Sequence, residues 1–315
     1  MYEIGLRTRF RGIMSRQGML FRGPAGWAEW SPFLDYGPDE TSAWWDCAVE
    51  CATREFPAPV RHAVPVNSII PALAPAAAFQ IAQAAGCGTA KVKVAEPGQT
   101  IEDDLARVEA VRAALGPNGR IRVDANGAWG VDQAEHHLKL LARFGLEYAE
   151  QPCAHVEELA ELRLRLARAG VPVLIAADES IRRSGDPERV ARLRAADVAV
   201  LKVQPLGGVR RCLDLAERLA MPVVVSSALE TSVGIRAGLA LAAALPELPF
   251  ACGLNTVSLL TGDVVADPLV AVNGLMQVRD VQVEPALLDR WQAPAPVVDF
   301  WQRRRLGPPA RLSPA

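Results

Sequence analysis

The sequence predicts an α/β protein whose larger part is a closed β/α barrel, preceded by a small α+β unit. Three observations lead there. From about residue 62 onward, short apolar runs alternate with segments of helical spacing, and eight such runs joined by short turns suit closure into a barrel. Unusual polar residues stand at or just past the ends of consecutive runs, which is the pattern of a barrel's catalytic face. Neither GxGxxG after the first strand nor a GxxxxGKS/T loop marks a doubly wound nucleotide-binding sheet.

Residues 1–62 are expected to form the α+β unit. Tyr2 to Phe10 and Met19 to Trp30 are apolar and aromatic patches broken by Gly and Arg, as in an antiparallel ribbon, and TSAWWDCAVECATR at Thr41 to Arg54 has helical spacing. Pro57 and Pro59 then interrupt the pattern. The barrel, residues 63–270, takes its strands from Val64 to Ile70, Thr89 to Val94, Arg120 to Asp124, Leu146 to Glu150, Val171 to Ala177, Val198 to Val203, Pro222 to Ser227 and Ala251 to Leu254. Its helices fall at Thr100 to Leu115, Val131 to Phe144, Val156 to Ala169, Glu188 to Ala195, Val209 to Leu219 and Ser232 to Ala244. Residues 271–315 leave the repeat. Met276 to Val283 reads as another strand, and Pro294, Pro296, Pro308, Pro309 and Pro314 with Arg303 to Arg305 read as a returning segment with a loose, solvated tail.

With 34 basic against 36 acidic residues in 315, the formal charge of -2 leaves no electrostatic footprint for nucleic acid or an anionic membrane. No apolar run is long enough to span a bilayer, and the N-terminus lacks a signal peptide's apolar core. The expectation is a cytoplasmic monomer, with weak self-association at most, acting on a small molecule. Six dispersed cysteines fit free thiols, and four histidines away from any nucleophile motif exclude Ser-His-Asp and Cys-His chemistry. Acid-base work then falls to carboxylates and lysines.

Asp124, Glu150 and Asp178 are each about one strand-loop-helix cycle apart and follow apolar runs. On neighbouring barrel strands they converge at one mouth, where a cation must offset their repulsion, and hard oxygen donors select Mg²⁺, with Mn²⁺ as substitute. Glu179 replaces Asp178 in this set if the strand ends one residue later, and otherwise supports it, as Asn126 supports Asp124. Lys91 and Lys93 both point inward by strand alternation, each expected to depress the other's proton affinity, and Lys202 approaches from the opposite wall. A metal with opposed lysines suits removal of a proton α to a carboxylate.

The motifs KVK at Lys91, RVDANGAW at Arg122, YAEQP at Tyr148, ADES at Ala177 and LKVQPLGG at Leu201 together resemble the muconate-lactonizing branch of the enolase superfamily over nearly the whole chain. The resemblance implies a modified TIM barrel, (β/α)7β, with an α+β capping domain built from both chain ends. It also implies Asp124, Glu150 and Asp178 as Mg²⁺ ligands, and Lys93 and Lys202 as the acid/base pair; Lys91, inward on the same strand as Lys93, is the substitute base that the residues themselves offer. Within that branch, FRGIMSRQGMLFRGPAGWAEWSPF at Phe10 and SSALETSVG at Ser226 are similar to the o-succinylbenzoate synthase family of menaquinone biosynthesis, which performs a syn dehydration. N-succinylamino-acid racemases and dipeptide epimerases share the lysine pair and form the alternative. The resemblance places Ser226, Ser227, Gly234 and Asn255 near the mouth and a Ser15 to Met19 loop closing from the cap, while the free backbone amides at the start of the Ser232 helix are expected to receive a carboxylate.

Overall fold

The computed structural model describes residues 1–306. β1 (Tyr2–Phe10), β2 (Ile13–Gly23) and β3 (Gly26–Trp30) form an antiparallel sheet in that order. Arg11 and Gly12 make the first turn with φ of +50° and +77°. The expected Ser15 to Met19 loop therefore lies inside β2, because the ladder pairs Tyr2 with Gly18 and Gly5 with Ser15. α1 (Pro38–Thr53) starts with proline, and the Glu40 carboxylate accepts the Gly37 N–H at 3.0 Å, so its entry is fixed locally. Its buried face carries Trp44, Cys47, Ala48 and Cys51.

The expected first barrel strand divides into β4 (Ala63–Pro65) and β5 (Ser68–Ile70). The break has a cause: Val66 N–H donates to Gly274 O and Asn67 N–H to Cys252 O, so the backbone changes partners between them. α2 (Pro75–Ala84), absent from the sequence expectation, follows; its alanine-rich surface gives little periodic contrast. Then come β6 (Thr89–Lys93), α3 (Ile101–Leu115), β7 (Arg120–Asp124), α4 (Val131–Leu141), β8 (Leu146–Glu150), α5 (Val156–Arg168) and β9 (Leu174–Ala177). α6 (Glu179–Arg182) and α7 (Arg189–Arg192) are single turns. The helix expected at Glu188 to Ala195 is cut short where Arg194 turns to φ +50°. β10 (Val198–Lys202), α8 (Val203–Leu206), α9 (Val209–Leu219), β11 (Val223–Ser226) and α10 (Ser232–Ala244) complete the repeat.

β5 to β11 pair side by side in chain order, each parallel to the next. The expected eighth strand, Ala251 to Leu254, is reduced to two parallel bridges, Cys252 with Val66 and Gly253 with Ser226. Those bridges join the two edges of the sheet, since Gly253 N–H donates to Val225 O at 2.8 Å while Asn67 N–H reaches Cys252 O at 3.0 Å. The result is a modified α/β barrel, with apolar β residues such as Val92, Val123, Ile175 and Val225 fully buried.

Beyond the barrel, β12 (Leu275–Gln277) pairs antiparallel with β4, and α11 (Pro285–Arg290) leads to α12 (Ala295–Leu306). Trp301 of α12 meets Trp30 edge-on at 5.4 Å and donates to Gln17 Oε1 at 3.3 Å. Of the solvated tri-arginine expected at Arg303 to Arg305, Arg303 and Arg305 are exposed, and the correction falls on Arg304. Arg304 donates to the carbonyls of Pro32, Phe33 and Tyr36, at 2.6 to 3.0 Å, and Arg305 lies over the Trp45 ring. The expected loose tail with Pro308, Pro309 and Pro314 lies outside the described residues. All six cysteines are free and buried, and no helix of the described residues is long and apolar enough to cross a membrane.

Gly208, from the LKVQPLGG run, shows how closely the N-terminal unit seats. Its φ is +126°, and a Cβ there would fall 1.8 Å from Glu50 Oε2 of α1. Arg210 then pairs with Glu50 Oε1 at 2.8 Å. A side chain at 208 would strain the backbone and displace the Glu50 carboxylate from its pairing with Arg210.

Candidate active site

Parallel pairing opposes Lys93 to Asp124 across β6 and β7, and Asp124 to Glu150 across β7 and β8. Residues in one register row share a face, so these side chains meet inside the C-terminal mouth. Lys93 Nζ donates to Asp124 Oδ2 at 2.6 Å and to Asn126 Oδ1 at 2.5 Å. Lys91 Nζ reaches both oxygens of Glu150, at 2.8 and 3.0 Å, and stands 3.5 Å from Asp124. On the far wall, Lys202 at the end of β10 donates to Asp178 Oδ2 at 2.6 Å, while Arg182 Nε takes Asp178 Oδ1 at 2.8 Å. Asn126 bridges the halves: its N–H holds Asp124 Oδ1 at 3.1 Å and its amide donates to Glu179 Oε1 at 3.2 Å.

Burial and neighbouring charge pull in opposite directions in this cluster. Burial raises Glu150 above the usual carboxylate range, with help from Asp124 and Asp178, against the pull of Lys91. Asp178 is pushed up to about 6 by burial and by Glu179. Asp124 is also buried, yet Lys93 and Lys91 outweigh that and hold it well below the usual range. Burial lowers Lys202, with Asp178 opposing. The expected mutual depression of the two inward lysines fails at Lys91: burial acts downward, but Glu150 and Asp124 raise it, so it stays an ammonium.

Lys91, Lys93, Asp124, Asn126 and Lys202 line one cleft with Ser226 and Ser227. Gly234 and Asn255 lie outside that lining. Gly234 N–H donates to Glu29 Oε2 at 3.2 Å, and Asn255 Oδ1 accepts the Ala271 N–H at 3.0 Å. The start of α10, expected to receive a substrate carboxylate, is already filled by the chain's own Glu29 and Asp263, which accept from Thr231, Ser232 and Gly234. From the N-terminal unit it is Phe10, Arg11, Phe33 and Tyr36 that reach the cleft. Sequence reasoning gave these no role because they come from the end of β1, a turn and a loop, where no periodicity marks a site. It also missed Arg182, legible only as a basic residue four positions after Asp178. Gln151, quoted within YAEQP without a role, accepts the Asp178 N–H at 2.9 Å and so fixes that strand end.

Among the described residues no three acidic, histidine or cysteine side chains stand as a ready-made ligand set. The lysines occupy the carboxylates instead. The chemistry of the donors nonetheless fits a hard divalent cation. Asp124, Glu150 and Asp178 are buried carboxylates that feel one another's charge, and Glu179 Oε2 beside them is buried without a hydrogen-bond partner.

A closed α/β barrel with a carboxylate-lysine mouth, roofed by an N-terminal α+β unit, defines an enolase-superfamily protein. Residues 74–283 match the enolase C-terminal domain-like family and residues 1–52 the enolase N-terminal domain-like family. Among solved structures, muconate cycloisomerase from Pseudomonas fluorescens aligns with a TM-score of 0.75 over 92% of this chain and 96% of that one, at 23% identity. The L-Ala-D/L-Glu epimerase from Bacillus subtilis aligns with a TM-score of 0.74 over 89% and 94%, at 20% identity. At those identities only the fold is shared. The curated relatives are far nearer: o-succinylbenzoate synthase of Thermobifida fusca is 59% identical over 93% of both chains, and that of Mycolicibacterium smegmatis 52% identical over 94% of this chain and 90% of its own. The chain belongs to the o-succinylbenzoate synthases, lyases of the enolase superfamily.

Proposed function

We propose that the chain dehydrates 2-succinyl-6-hydroxy-2,4-cyclohexadiene-1-carboxylate to 2-succinylbenzoate in menaquinone biosynthesis. The observation that carries this reading is that Lys93 on the second barrel strand and Lys202 on the sixth border one cleft beside three buried carboxylates. Charge supports it. With the lysines protonated, Asp124, Glu150, Asp178 and Glu179 are matched by Lys91, Lys93, Lys202 and Arg182, so a dicarboxylate substrate and the loss of the Lys93 proton leave negative charge that a divalent cation offsets.

Asp124, Glu150 and Asp178 would hold Mg²⁺, or Mn²⁺ in its place, which when bound supplies positive charge where the substrate carboxylate gains electron density. Lys93 in its amine form takes the ring proton α to that carboxylate. The same nitrogen then returns the proton to the departing hydroxyl, so C–H and C–O bonds break on one face, water leaves and the ring becomes aromatic. Asn126 orients Lys93 through Oδ1 during this exchange. Lys202, from the opposite wall, stabilises charge on the ring through a cation-π contact. Ser226 and Ser227 offer polar contacts to the substrate, and Lys91 balances Glu150. We further propose a cap of residues 1–62 with 271–315 around a barrel of 63–270, and a cytoplasmic monomer with no nucleic-acid partner.

The test is a parallel assay. Formation of 2-succinylbenzoate is followed beside deuterium incorporation into N-succinylamino acids and dipeptides, compared as kcat/KM. Dominant dehydration is expected. Efficient exchange with negligible dehydration would replace this reading with the racemase or epimerase.

A further inference from the structure

We propose that Arg182 is a positioning residue that holds Asp178 and Glu179 in their site geometry and ties both to the N-terminal unit through Tyr36. Arg182 ends the single-turn helix α6, placing its side chain one turn beyond Asp178. Its guanidinium uses all three nitrogens. Nε donates to Asp178 Oδ1 at 2.8 Å, one terminal nitrogen donates to Glu179 Oε1, and the other to the Tyr36 hydroxyl. Both Arg182 and Tyr36 are buried. Arginine suits this geometry, since its planar fork presents a separate nitrogen to each of three acceptors on different residues, whereas a lysine would have to bring all three within reach of one nitrogen.

The consequence is a mechanical link between two parts of the chain. Tyr36 lies in the loop between β3 and α1, in the N-terminal unit, whereas Asp178 closes β9 in the barrel. Lys202 already binds Asp178 Oδ2, so Arg182 fixes the second oxygen and sets the plane of the carboxylate. A carboxylate held in one plane offers its free lone pairs in a defined direction, which is what cation binding needs. The neighbouring Arg183 separates this role from simple docking. It grips Asp35 of the same loop and Glu40 in the first turn of α1, at 2.9 Å each, and stacks over the Tyr36 ring, with no bond to Asp178.

This inference rests on the reading of Asp178 as a cation ligand, and the experiment separates the two. Mn²⁺ affinity of the full chain is titrated calorimetrically without substrate for wild type, D178N, R182Q, R182K, Y36F and R183Q, with urea stability and the kcat and KM of each at saturating metal. D178N is expected to lose Mn²⁺ binding, and R182Q to weaken it roughly 10- to 100-fold, as loss of a ligand's supporting partner does. R182K should recover part of the loss, Y36F should weaken binding in the same direction to a smaller degree, and R183Q should lower stability alone. Intact binding in R182Q while D178N loses it overturns the role of Arg182, and so does equal weakening in R183Q. Should R182Q fail to fold, unchanged affinity in Y36F overturns it. Intact binding in D178N overturns the underlying reading of the site, and the inference with it.

Discussion

The Glu29 carboxylate of β3 accepts the Thr231 hydroxyl at 2.5 Å, so a side chain of the N-terminal sheet terminates the barrel helix α10. The same oxygen takes the backbone N–H groups of Thr231 and Gly234 at 3.1 and 3.2 Å, and the other takes the hydroxyls of Tyr2 and Ser31 at 2.7 Å each. A negative group at a helix N-terminus is favoured by the unpaired amides there. Replacing it with alanine strands several buried donors at once. Glu29→Ala is expected to cost about 3 kcal/mol in urea denaturation, with Glu29→Gln recovering part.

Glu230 makes stability depend on pH. Burial and the nearby Glu29 push its carboxyl up to about 7, while its Oε2 accepts the Ala228 N–H at 2.7 Å. A carboxyl raised on folding stabilises the fold fully below its unfolded value, near 4.5, and the contribution is lost as pH rises to about 7. Above pH 8 the ionised form then costs up to about 3 kcal/mol. Glu230→Gln should therefore leave stability at pH 4 nearly unchanged and raise it at pH 8. A pH series of urea midpoints for both proteins checks this; parallel curves would remove Glu230 from the account.

Much of this molecule was legible in sequence because strand ends are marked by a change from apolar to polar residues. Asp124, Glu150 and Lys202 each follow an apolar residue, Val123, Ala149 and Leu201, and the structure ends β7, β8 and β10 at those positions. What pattern reading missed depends on contacts between distant segments. Tyr36 and Arg182 meet across 146 positions, and nothing local marks Tyr36 as a site residue. The family resemblance made Ser15 to Met19 a closing loop, yet the segment is paired within β2, and Gly18 is a strand residue whose missing side chain lets Tyr2 and Ser31 approach. The start of α10 read as an anion receiver, correctly in its electrostatics, but the anion is Glu29 from elsewhere in the chain.

Removing divalent metal should abolish turnover without unfolding the barrel. Its core is a continuous apolar cluster running through both sheet and helices, and in the metal-free chain the site carboxylates are already neutralised by Lys91, Lys93 and Lys202. Chelation followed by circular dichroism and assay checks both halves, with activity returning on addition of Mg²⁺. Cooperative unfolding on chelation would mean that the ion is structural.

Lys93→Ala and Lys202→Ala are each expected to lower kcat by roughly 10²- to 10⁴-fold, the usual contribution of a general acid-base group or a comparable charge. Neither should weaken metal binding, because each removes a cation that competes for Asp124 or Asp178. Single-turnover rates and Mn²⁺ titration give the two readouts. A near-normal chemical rate in Lys93→Ala would transfer the proton step to another group.

Lys91 is the first group to suspect in that case, and the structure gives it a different task. Its Nζ is shared between both oxygens of Glu150 and approaches Asp124, in a position almost closed to solvent. Losing one partner of a buried pair leaves the other charge uncompensated, so Lys91→Met should cost about 3–5 kcal/mol in metal-free protein. Saturating Mg²⁺ should return part of that stability, since the ion would then neutralise Glu150 in place of the ammonium. Lys93→Ala should show the opposite balance, a smaller loss of stability and a larger loss of kcat, because Asp124 keeps Lys91 beside it. Urea denaturation with and without Mg²⁺, set beside kcat at saturating metal, measures both. A stable Lys91→Met protein whose kcat falls as far as that of Lys93→Ala would make Lys91 the base and Lys93 its partner.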